Sequence, residues 1–409
     1  MDFEITEEQK QINALIKEFC EREIDEKRMA ELAEKAATAK TVEELRNLQP
    51  LDLMEKCHEV GLRQLCIPEE YGGGGFTHAS NVTRAIAGEQ AGYYGGLGAH
   101  VMVVPWQHCQ IIATGNATRE QLDWYFKRYM EDPHLEYHVT GSEPEESVTI
   151  HTGQDVPGGT MKVLARKDGD EWVINGDKLF STLGGVVDLN LCFARTKEGP
   201  IKESMTAFLI QTDTPGISYT LNRLVSQGTQ GNAQTSYDNV RVPDSQRVGE
   251  VNRGYYVLER LMAGHLAMMA GSIARMQKLY EQIRDYAKER IAGGKPVIQH
   301  THIDAILGEV AASLEAQRAF TYKGCWEMDQ QEKAGKPVSL FWAQAAVYLR
   351  KDLSWRLAQA AHAVYGGMVG SLDLPFEGFL RGMYGSLCAG TPHPMNAIRS
   401  SWYYDDRYR

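Results

Sequence analysis

Residue types that do chemistry in enzymes are dispersed along this sequence. Cys388 lies in the glycine-rich segment 385–391 and could act as a nucleophile, but no base stands beside it, which favours a packed thiol. His300 and His302 are two residues apart, so on a helix they face different sides and do not form a metal pair. The sequence therefore predicts no metal site.

Two further groups have ordinary structural explanations. The glycine run 72–75 could approach a phosphate, but a flexible loop between helices explains it as well. Glu143, Glu145 and Glu146 stand where a helical pattern gives way to strands, and a charged loop is the expectation for them. Local motifs alone identify no site.

Composition excludes several classes of protein. The 409 residues include 43 lysines and arginines against 54 aspartates and glutamates, a net charge of −11. General nucleic-acid binding is excluded because phosphate contacts need an excess of basic residues. No stretch approaches the roughly 18 consecutive apolar residues of a membrane span, and the acidic N-terminus is unlike a signal peptide. Seven scattered cysteines without a CxxC pair indicate reduced thiols, so we expect a cytoplasmic protein without membrane insertion.

The first 130 residues have helical patterns. A capped helix is predicted to start at Thr6–Gln9, because apolar residues follow at helical spacing. Residues 29–48 are rich in alanine, glutamate and lysine, which predicts a solvated helical excursion with a second cap at Thr41. Glycines 72–75 break the pattern, which resumes over residues 79–129.

Short β-rich runs alternate with turns over residues 138–245. Asp168-Gly169 predicts a hairpin, and Asn175-Gly176 predicts another turn. Strands are predicted at residues 161–165, 171–174, 189–194, 206–210 and 236–242. Close alternation of strands and turns favours a compact antiparallel barrel or sandwich.

Long helical patterns return after Gly254. They cover residues 258–290, 303–332 and 340–365, and their short connections predict a helical bundle. No GxGxxG motif follows a strand and no P-loop is present, which argues against a Rossmann or Walker nucleotide site. Pattern alone thus predicts an α+β protein in the order helices, strands, helices.

Several ordered segments resemble the acyl-CoA dehydrogenase family over nearly the whole chain, from about residue 3 to 402. These segments are Ile67–Gly73, Ser142–Pro144, Gly169–Lys178, Asp213–Ile217, Asn239–Pro243, Tyr286–Arg290, Tyr365–Gly367 and Gly390-Thr391. No single motif decides the resemblance, but their shared order and spacing do.

The resemblance implies three domains and a cofactor. The domains would be an N-terminal helical domain over residues 1–137, a middle β-barrel over 138–248 and a C-terminal four-helix bundle over 249–409. Family members are usually homotetramers, and a homodimer is the alternative. They bind FAD between the barrel and the bundle, and a neighbouring subunit completes the site.

Site residues follow from the resemblance position by position. Ser142, Phe180, Ser181 and Thr182 match the family's contacts to the flavin ring. Arg290 matches an arginine that reaches the neighbouring subunit's FAD pyrophosphate. Gly366, Gly367 and Thr391 fall beside the cofactor, whereas Tyr94 and Gly390 fall in the acyl pocket.

The family's usual chemistry is desaturation of an acyl-CoA. A carboxylate removes the α-proton, and the β-hydrogen leaves as hydride to the flavin. This sequence departs from the pattern, because the two positions where family members carry that glutamate are Ala389 and Gly264. His265 is adjacent to Gly264 and could titrate near neutrality. Glu259, five residues earlier, is another candidate base, and Cys388 and Tyr94 are further ones.

Three functions remain open. The first is an FAD-dependent acyl-CoA dehydrogenase with a relocated base, which passes electrons to an electron-transfer flavoprotein. The second is a flavoprotein of this fold without α-proton abstraction, which cleaves a C–C or C–S bond by decarboxylation or desulfination, or reduces an enoyl-CoA. The third is a non-catalytic paralogue.

Overall fold

Helices occupy both ends of the chain and strands its middle, as the sequence predicts. The computed structural model describes residues 4–75, 80–95, 99–114, 117–146, 148–155, 160–226, 228–388 and 393–407. The helices are α1 Glu7–Glu23, α2 Glu26–Thr38, α3 Val42–Arg46, α4 Leu51–Glu59, α5 Asn81–Tyr93, α6 Val104–Thr114, α7 Arg119–Glu131, α8 Val148–Thr152, α9 Ile201–Ser204, α10 Gly254–Glu289, α11 Thr301–Lys333, α12 Leu340–Tyr365, α13 Pro375–Cys388 and α14 His393–Trp402. A π-helical segment, Ala99–Val103, precedes α6.

The strands belong mainly to one sheet. They are β1 Tyr137–Thr140, β2 Leu164–Asp168, β3 Glu171–Thr182, β4 Leu189–Arg195, β5 Met205–Gln211, β6 Ile217–Leu221, β7 Asn232–Pro243 and β8 Arg247–Val248, with a separate small pair, β9 Ile291–Ala292 and β10 Lys295–Pro296. The order is β6-β7-β3-β2-β4-β5-β8, and β1 pairs with β4. Pairing is antiparallel except where β1 and β2 each meet β4. Over the described residues the sheet stays open between β6 and β8, so the predicted closed barrel is not shown.

Local capping confirms the predicted helix starts. The Gln9 backbone N–H donates to the Thr6 hydroxyl at 3.2 Å, and the Gln9 side chain accepts from the Thr6 backbone at 3.0 Å. Thr41 caps α3 by accepting from the Glu44 backbone at 3.1 Å. These caps satisfy N–H groups that a helix leaves unpaired at its first turn.

Of the two turns predicted in the strand region, one is confirmed and the other is wrong. Gly169 joins β2 and β3 with φ of 60°. Asn175-Gly176 is not a turn, because β3 continues through it with a shift of register against β7. Gly176 adopts φ of 126°, and a Cβ there would lie 2.9 Å from the Val163 Cα. The dipeptide is therefore a β-bulge that only glycine fits.

The predicted solvated excursion is wrong in part, because it contributes to a small core. Ala36, Ala39 and Leu45 are buried with residues of the loop that follows β3. The loop residues of this core are Leu183, Val186 and Val187. The small alanine side chains allow close packing in this core.

Contacts divide the chain into two compact units. The helical unit comprises residues 1–24, 79–103 and 262–409, and the sheet unit comprises residues 25–78 and 104–261. In the helical unit, α12 packs against α11, α13 and α14, and helix α5 crosses α10 at Gly92. A Cβ on Gly92 would lie 2.3 Å from the Gly271 Cα, so the crossing requires glycine. The three-domain boundaries of the sequence analysis stay a prediction. None of the described helices is both long and apolar enough to cross a membrane.

Candidate functional site

A buried ion pair anchors the segment that follows β1 in the sheet unit. The Glu143 carboxylate lies 2.8 Å from the Lys178 ammonium, and both side chains are fully buried. Glu143 also accepts hydrogen bonds from the backbone N–H groups of Lys162 at 2.5 Å and Val163 at 3.2 Å. Lys178 additionally donates to the Gly141 carbonyl at 3.0 Å. The expected charged loop is therefore wrong for Glu143, which is a structural anchor.

This anchor brings two predicted flavin contacts together. The Leu179 N–H donates to the Ser142 carbonyl at 2.8 Å, so Ser142 lies beside the end of β3. Phe180 is the next residue of β3. Ser142 and Phe180 are distant in sequence, and the ion pair fixes their proximity.

Phe180 has an unusual backbone and an exposed ring. Its φ is 57°, a left-handed conformation that a bulky residue rarely adopts. Its side chain is 58% exposed, although apolar side chains of this size are usually covered. The register shift between Lys178 and Ser181 accounts for the local conformation. Such an outlier is typical of functional sites.

The two residues that follow Phe180 differ in exposure. Thr182, two residues after Phe180 on β3, is exposed. Ser181 is 1% exposed, and its hydroxyl has no hydrogen-bond partner within the described parts of the chain. An exposed aromatic ring beside an exposed hydroxyl suits a planar, hydrogen-bonding heterocycle such as the flavin ring. Burial separates the Ser181 hydroxyl from that surface.

In the helical unit, Arg290 and Gly366 meet at the C-terminal end of α12. Gly366 has φ of 60° and ψ of −137°, which side-chain-bearing residues avoid. The Arg290 guanidinium lies 3.7 Å from the point where a Cβ on Gly366 would stand, and it donates to the Val364 carbonyl. Gly367 is exposed, with no atom within 4 Å of a Cβ built on it. An arginine beside open backbone suits a diphosphate.

Three predicted positions lie outside the described residues. They are Ala389, Gly390 and Thr391, which follow the end of α13 at Cys388. Gly264, the other position that the resemblance matches to a glutamate, is buried within α10.

The two candidate bases on α10 have opposite electrostatics. Burial raises the pKa of Glu259, although the positive charges of Lys202 and Arg253 act against the shift. Burial and the charges of Arg399 and Arg350 lower the pKa of His265 to about 4. The expectation that His265 titrates near neutrality is therefore wrong. A carboxylate with a raised pKa is the stronger base of the two.

Tyr94 lies in a groove of the helical unit with a volume of about 450 Å³. Its hydroxyl donates to the Glu21 carboxylate at 3.1 Å. Burial and Glu21 raise the pKa of Tyr94 to about 12. The Lys278 ammonium lies 6.0 Å from the centre of the Tyr94 ring. The role of Tyr94 in acyl binding stays a prediction.

Sequence reasoning missed two buried lysines. Lys178 is fully buried in β3, and Lys351 is fully buried in α12. The available signal was a lysine at an inward position of a strand or helix, where apolar residues are the rule.

Comparison with known proteins agrees with this architecture. Family models match residues 6–131, 149–240 and 252–390, and they describe the N-terminal, middle and C-terminal domains of acyl-CoA dehydrogenase. An acyl-CoA dehydrogenase of Bacillus subtilis is 26% identical over 386 residues, covering 92% of each chain. The CarC subunit of the caffeyl-CoA reductase–Etf complex of Acetobacterium woodii is 25% identical over 369 residues, covering 88% of this chain and 89% of that one.

Solved structures share the fold at low sequence identity. Butyryl-CoA dehydrogenase from Megasphaera elsdenii superimposes with a TM-score of 0.81 and 21% identity, covering 98% of this chain and 99% of that one. The FAD complex of PigA gives a TM-score of 0.84 with 18% identity, and both chains are covered completely.

Proposed function

Because the chain belongs to the acyl-CoA dehydrogenase family of FAD-dependent enzymes, we propose that it oxidises the α,β C–C bond of an acyl-CoA thioester. The exposed, left-handed Phe180 beside Ser142 and Thr182 is the observation that supports this activity best. A strained, uncovered aromatic side chain is costly unless a ligand packs against it. The electrons would pass to an electron-transfer flavoprotein.

The residues in place fit FAD. We propose that Phe180 packs on the flavin ring, and that Ser142 and Thr182 hydrogen-bond to its polar edge. In the helical unit, Arg290 would bind the pyrophosphate of a neighbouring subunit's FAD by charge-assisted hydrogen bonds, and Gly366 and Gly367 would leave room for it. FAD, when bound, supplies the hydride acceptor.

Glu259 is our candidate for the residue that removes the α-proton. Its raised pKa strengthens it as a base, because the proton it takes up is then held more firmly. It stands five residues before Gly264, which is about 7.5 Å along the helix and about 140° around its axis. Glu259 therefore does not simply substitute for a base at Gly264, and the acyl chain would have to approach a different face of α10, nearer its start.

A substitution tests Glu259 directly. Glu259→Gln should slow flavin reduction by a saturated acyl-CoA by roughly 10²–10⁴-fold, with unchanged FAD content. Glu309→Gln is the matched control, because this side chain is 70% exposed on α11. Equal rates in the two variants would exclude Glu259 as the base.

The direction and substrate class are tested by a panel of acyl-CoA thioesters under anaerobic conditions. Bleaching of the flavin absorption by a saturated acyl-CoA supports dehydrogenation. Absence of bleaching with every saturated thioester would contradict it.

Enoyl-CoA reduction is the second candidate. The CarC relative, which is named as part of a reductase complex, favours it. Glu259 would then donate a proton to the α-carbon, which a raised pKa also assists. Reoxidation of dithionite-reduced protein by an enoyl-CoA, without reduction by saturated thioesters, would establish this direction.

We also propose a homotetramer, since family members usually complete the FAD site with a second subunit. The molar mass in solution, measured by light scattering, tests the assembly. A monomer would contradict it, and a homodimer would still allow a second subunit at the site.

A further inference from the structure

Three polar side chains are buried on one face of the eight-stranded sheet. They are His138 on β1, Ser181 on β3 and Thr235 on β7, and each is at most 1% exposed. Both ring nitrogens of His138 and the hydroxyls of Ser181 and Thr235 have no hydrogen-bond partner among the residues that the structure describes. Such groups are rare, because a buried donor or acceptor that stays unpaired costs stability. We call these three residues the inner polar set.

A contact between strands brings His138 and Thr235 to the same part of the interior. The Thr140 and Tyr237 hydroxyls lie 3.3 Å apart, so the buried faces of β1 and β7 meet there. Side chains two positions apart on a strand point to the same face. His138 stands two positions before Thr140, and Thr235 stands two positions before Tyr237. The His138 ring and the Thr235 hydroxyl therefore face the same interior space.

A second contact places the same two residues near each other. The ring centroids of His138 and Tyr219 are 5.8 Å apart. Tyr219 on β6 pairs directly with Thr235 on β7. Directly paired residues of antiparallel strands present their side chains on one face, with Cβ atoms about 4.5–5.5 Å apart. Tyr219 thus lies beside both members of the inner polar set.

Ser181 extends the set along β3. It pairs with Ala233, which stands two positions before Thr235 and shares its face. A Cβ on Gly184 would lie 3.0 Å from the Ala233 Cβ and 3.2 Å from the Ser181 Cβ, so both side chains lie on one side of the sheet. Ser181 and Thr235 are then diagonal neighbours, which lie about 7–8 Å apart in sheets. One molecule that hydrogen-bonds in two directions can span this separation.

The chemistry of the set selects a small neutral ligand. Burial lowers the pKa of His138 to about 3, so near pH 7 its ring is neutral and has one N–H donor and one acceptor nitrogen. Each hydroxyl can donate and accept. The nearby ammonium of Lys178, which pairs with Thr235 across the strands, is already 2.8 Å from the Glu143 carboxylate. The set therefore needs donors and acceptors, not a counterion.

We propose that the inner polar set binds ordered water inside the sheet unit. One water molecule joins the His138 ring to the Thr235 hydroxyl, and a second joins Thr235 to Ser181. Water has the required size and chemistry, since a buried water molecule typically makes about three hydrogen bonds to polar groups that the protein does not pair. Ser181 directly follows Phe180, so this water lies on the inner side of the segment whose outer side carries the exposed ring. The proposal concerns the interior and does not depend on the proposed activity.

A crystal structure of the purified protein, at a resolution that shows ordered solvent, tests the site directly. Solvent density should lie within about 2.6–3.2 Å of a His138 ring nitrogen and of the Thr235 hydroxyl. An interior without solvent density at these groups would overturn the proposal, as would side chains that bond to other protein groups instead. Density larger than a water molecule would overturn the choice of ligand.

A variant tests the shared molecule. Thr235→Val keeps the shape of the side chain and removes its hydroxyl, so the water molecule between His138 and Thr235 should be lost or displaced. Thr220→Val is the matched control, because Thr220 is exposed on β6 next to Tyr219. Density that is the same in Thr235→Val as in Thr220→Val would overturn the shared molecule.

Nitrogen NMR of the histidine-labelled protein gives the same test in solution. The chemical shifts of the ring nitrogens report their hydrogen bonds, and His138→Phe identifies the His138 signals. Thr235→Val should shift these signals, whereas Thr220→Val should leave them in place. Unshifted His138 signals in Thr235→Val would overturn the proposal. If Thr235→Val does not fold, the solvent density of the wild type decides.

Discussion

Removal of the Lys178 ammonium tests the structural basis of the site. Lys178→Met keeps much of the aliphatic stem but leaves the Glu143 carboxylate in the interior with its two backbone donors, Lys162 and Val163. It also removes the hydrogen bond to the Gly141 carbonyl. The variant therefore separates the charge of the pair from its packing.

The expected cost is large. Both partners are fully buried at 2.8 Å, and breaking one side of such a pair destabilises proteins by about 3–5 kcal/mol. The two backbone N–H groups that remain on Glu143 favour the lower end of this range. Glu143→Gln added to Lys178→Met should recover part of the loss, because the unpaired charge is then gone.

Urea denaturation followed by circular dichroism measures this cost, and FAD retention after gel filtration measures its effect on the site. Arg241→Met is the control, since Arg241 makes ion pairs of 2.7 and 2.8 Å with Glu171 and Asp168 at the surface. We expect a lower midpoint and weaker FAD retention for Lys178→Met only. Equal midpoints in the two variants would refute the reasoning.

Three further predictions concern single positions. Phe180→Gly should relieve backbone strain and raise the free energy of unfolding by about 1 kcal/mol, while it weakens FAD binding. A lower denaturation midpoint would contradict the claim that the Phe180 backbone is strained. Gly92→Ala should lower the melting temperature, because a Cβ there meets the Gly271 backbone. Gly308→Ala, on an open helix face, is the control and should raise the melting temperature slightly. Equal shifts in the two variants would contradict the close crossing of the helices. Burial lowers the pKa of His138 from 6.5 to about 3. On acidification the unfolded chain therefore takes up a proton at a higher pH than the folded protein does. The free energy of unfolding should fall by up to about 1.4 kcal/mol per pH unit as the pH drops from 6.5 towards 3. Urea midpoints at several pH values check this, and an equally steep decline in His138→Leu would assign it elsewhere.

Local features of the fold were readable from sequence because their causes are local. The caps at Thr6 and Thr41 depend on residues three positions apart. The hairpin at Gly169 depends on one turn. The bulge at Gly176 was misread, because pairing with β7 extends β3 through a dipeptide that in isolation favours a turn.

The site was only partly readable. The family resemblance assigned Ser142 and Phe180 to one site, and the structure brings these residues together, although their binding of FAD stays a prediction. The roles of Glu143 and His265 could not be read from their neighbours in sequence. Glu143 is buried because Lys178, 35 residues later, pairs with it. The pKa of His265 is set by burial and by arginines on two other helices.

The flavin spectrum of the purified protein tests the central claim most directly. The account predicts that the protein takes up FAD on reconstitution, that the absorption bands of the flavin shift on binding, and that Phe180→Ala weakens this uptake. A protein that remains colourless after reconstitution, or that binds FAD equally well without the Phe180 ring, would contradict the account.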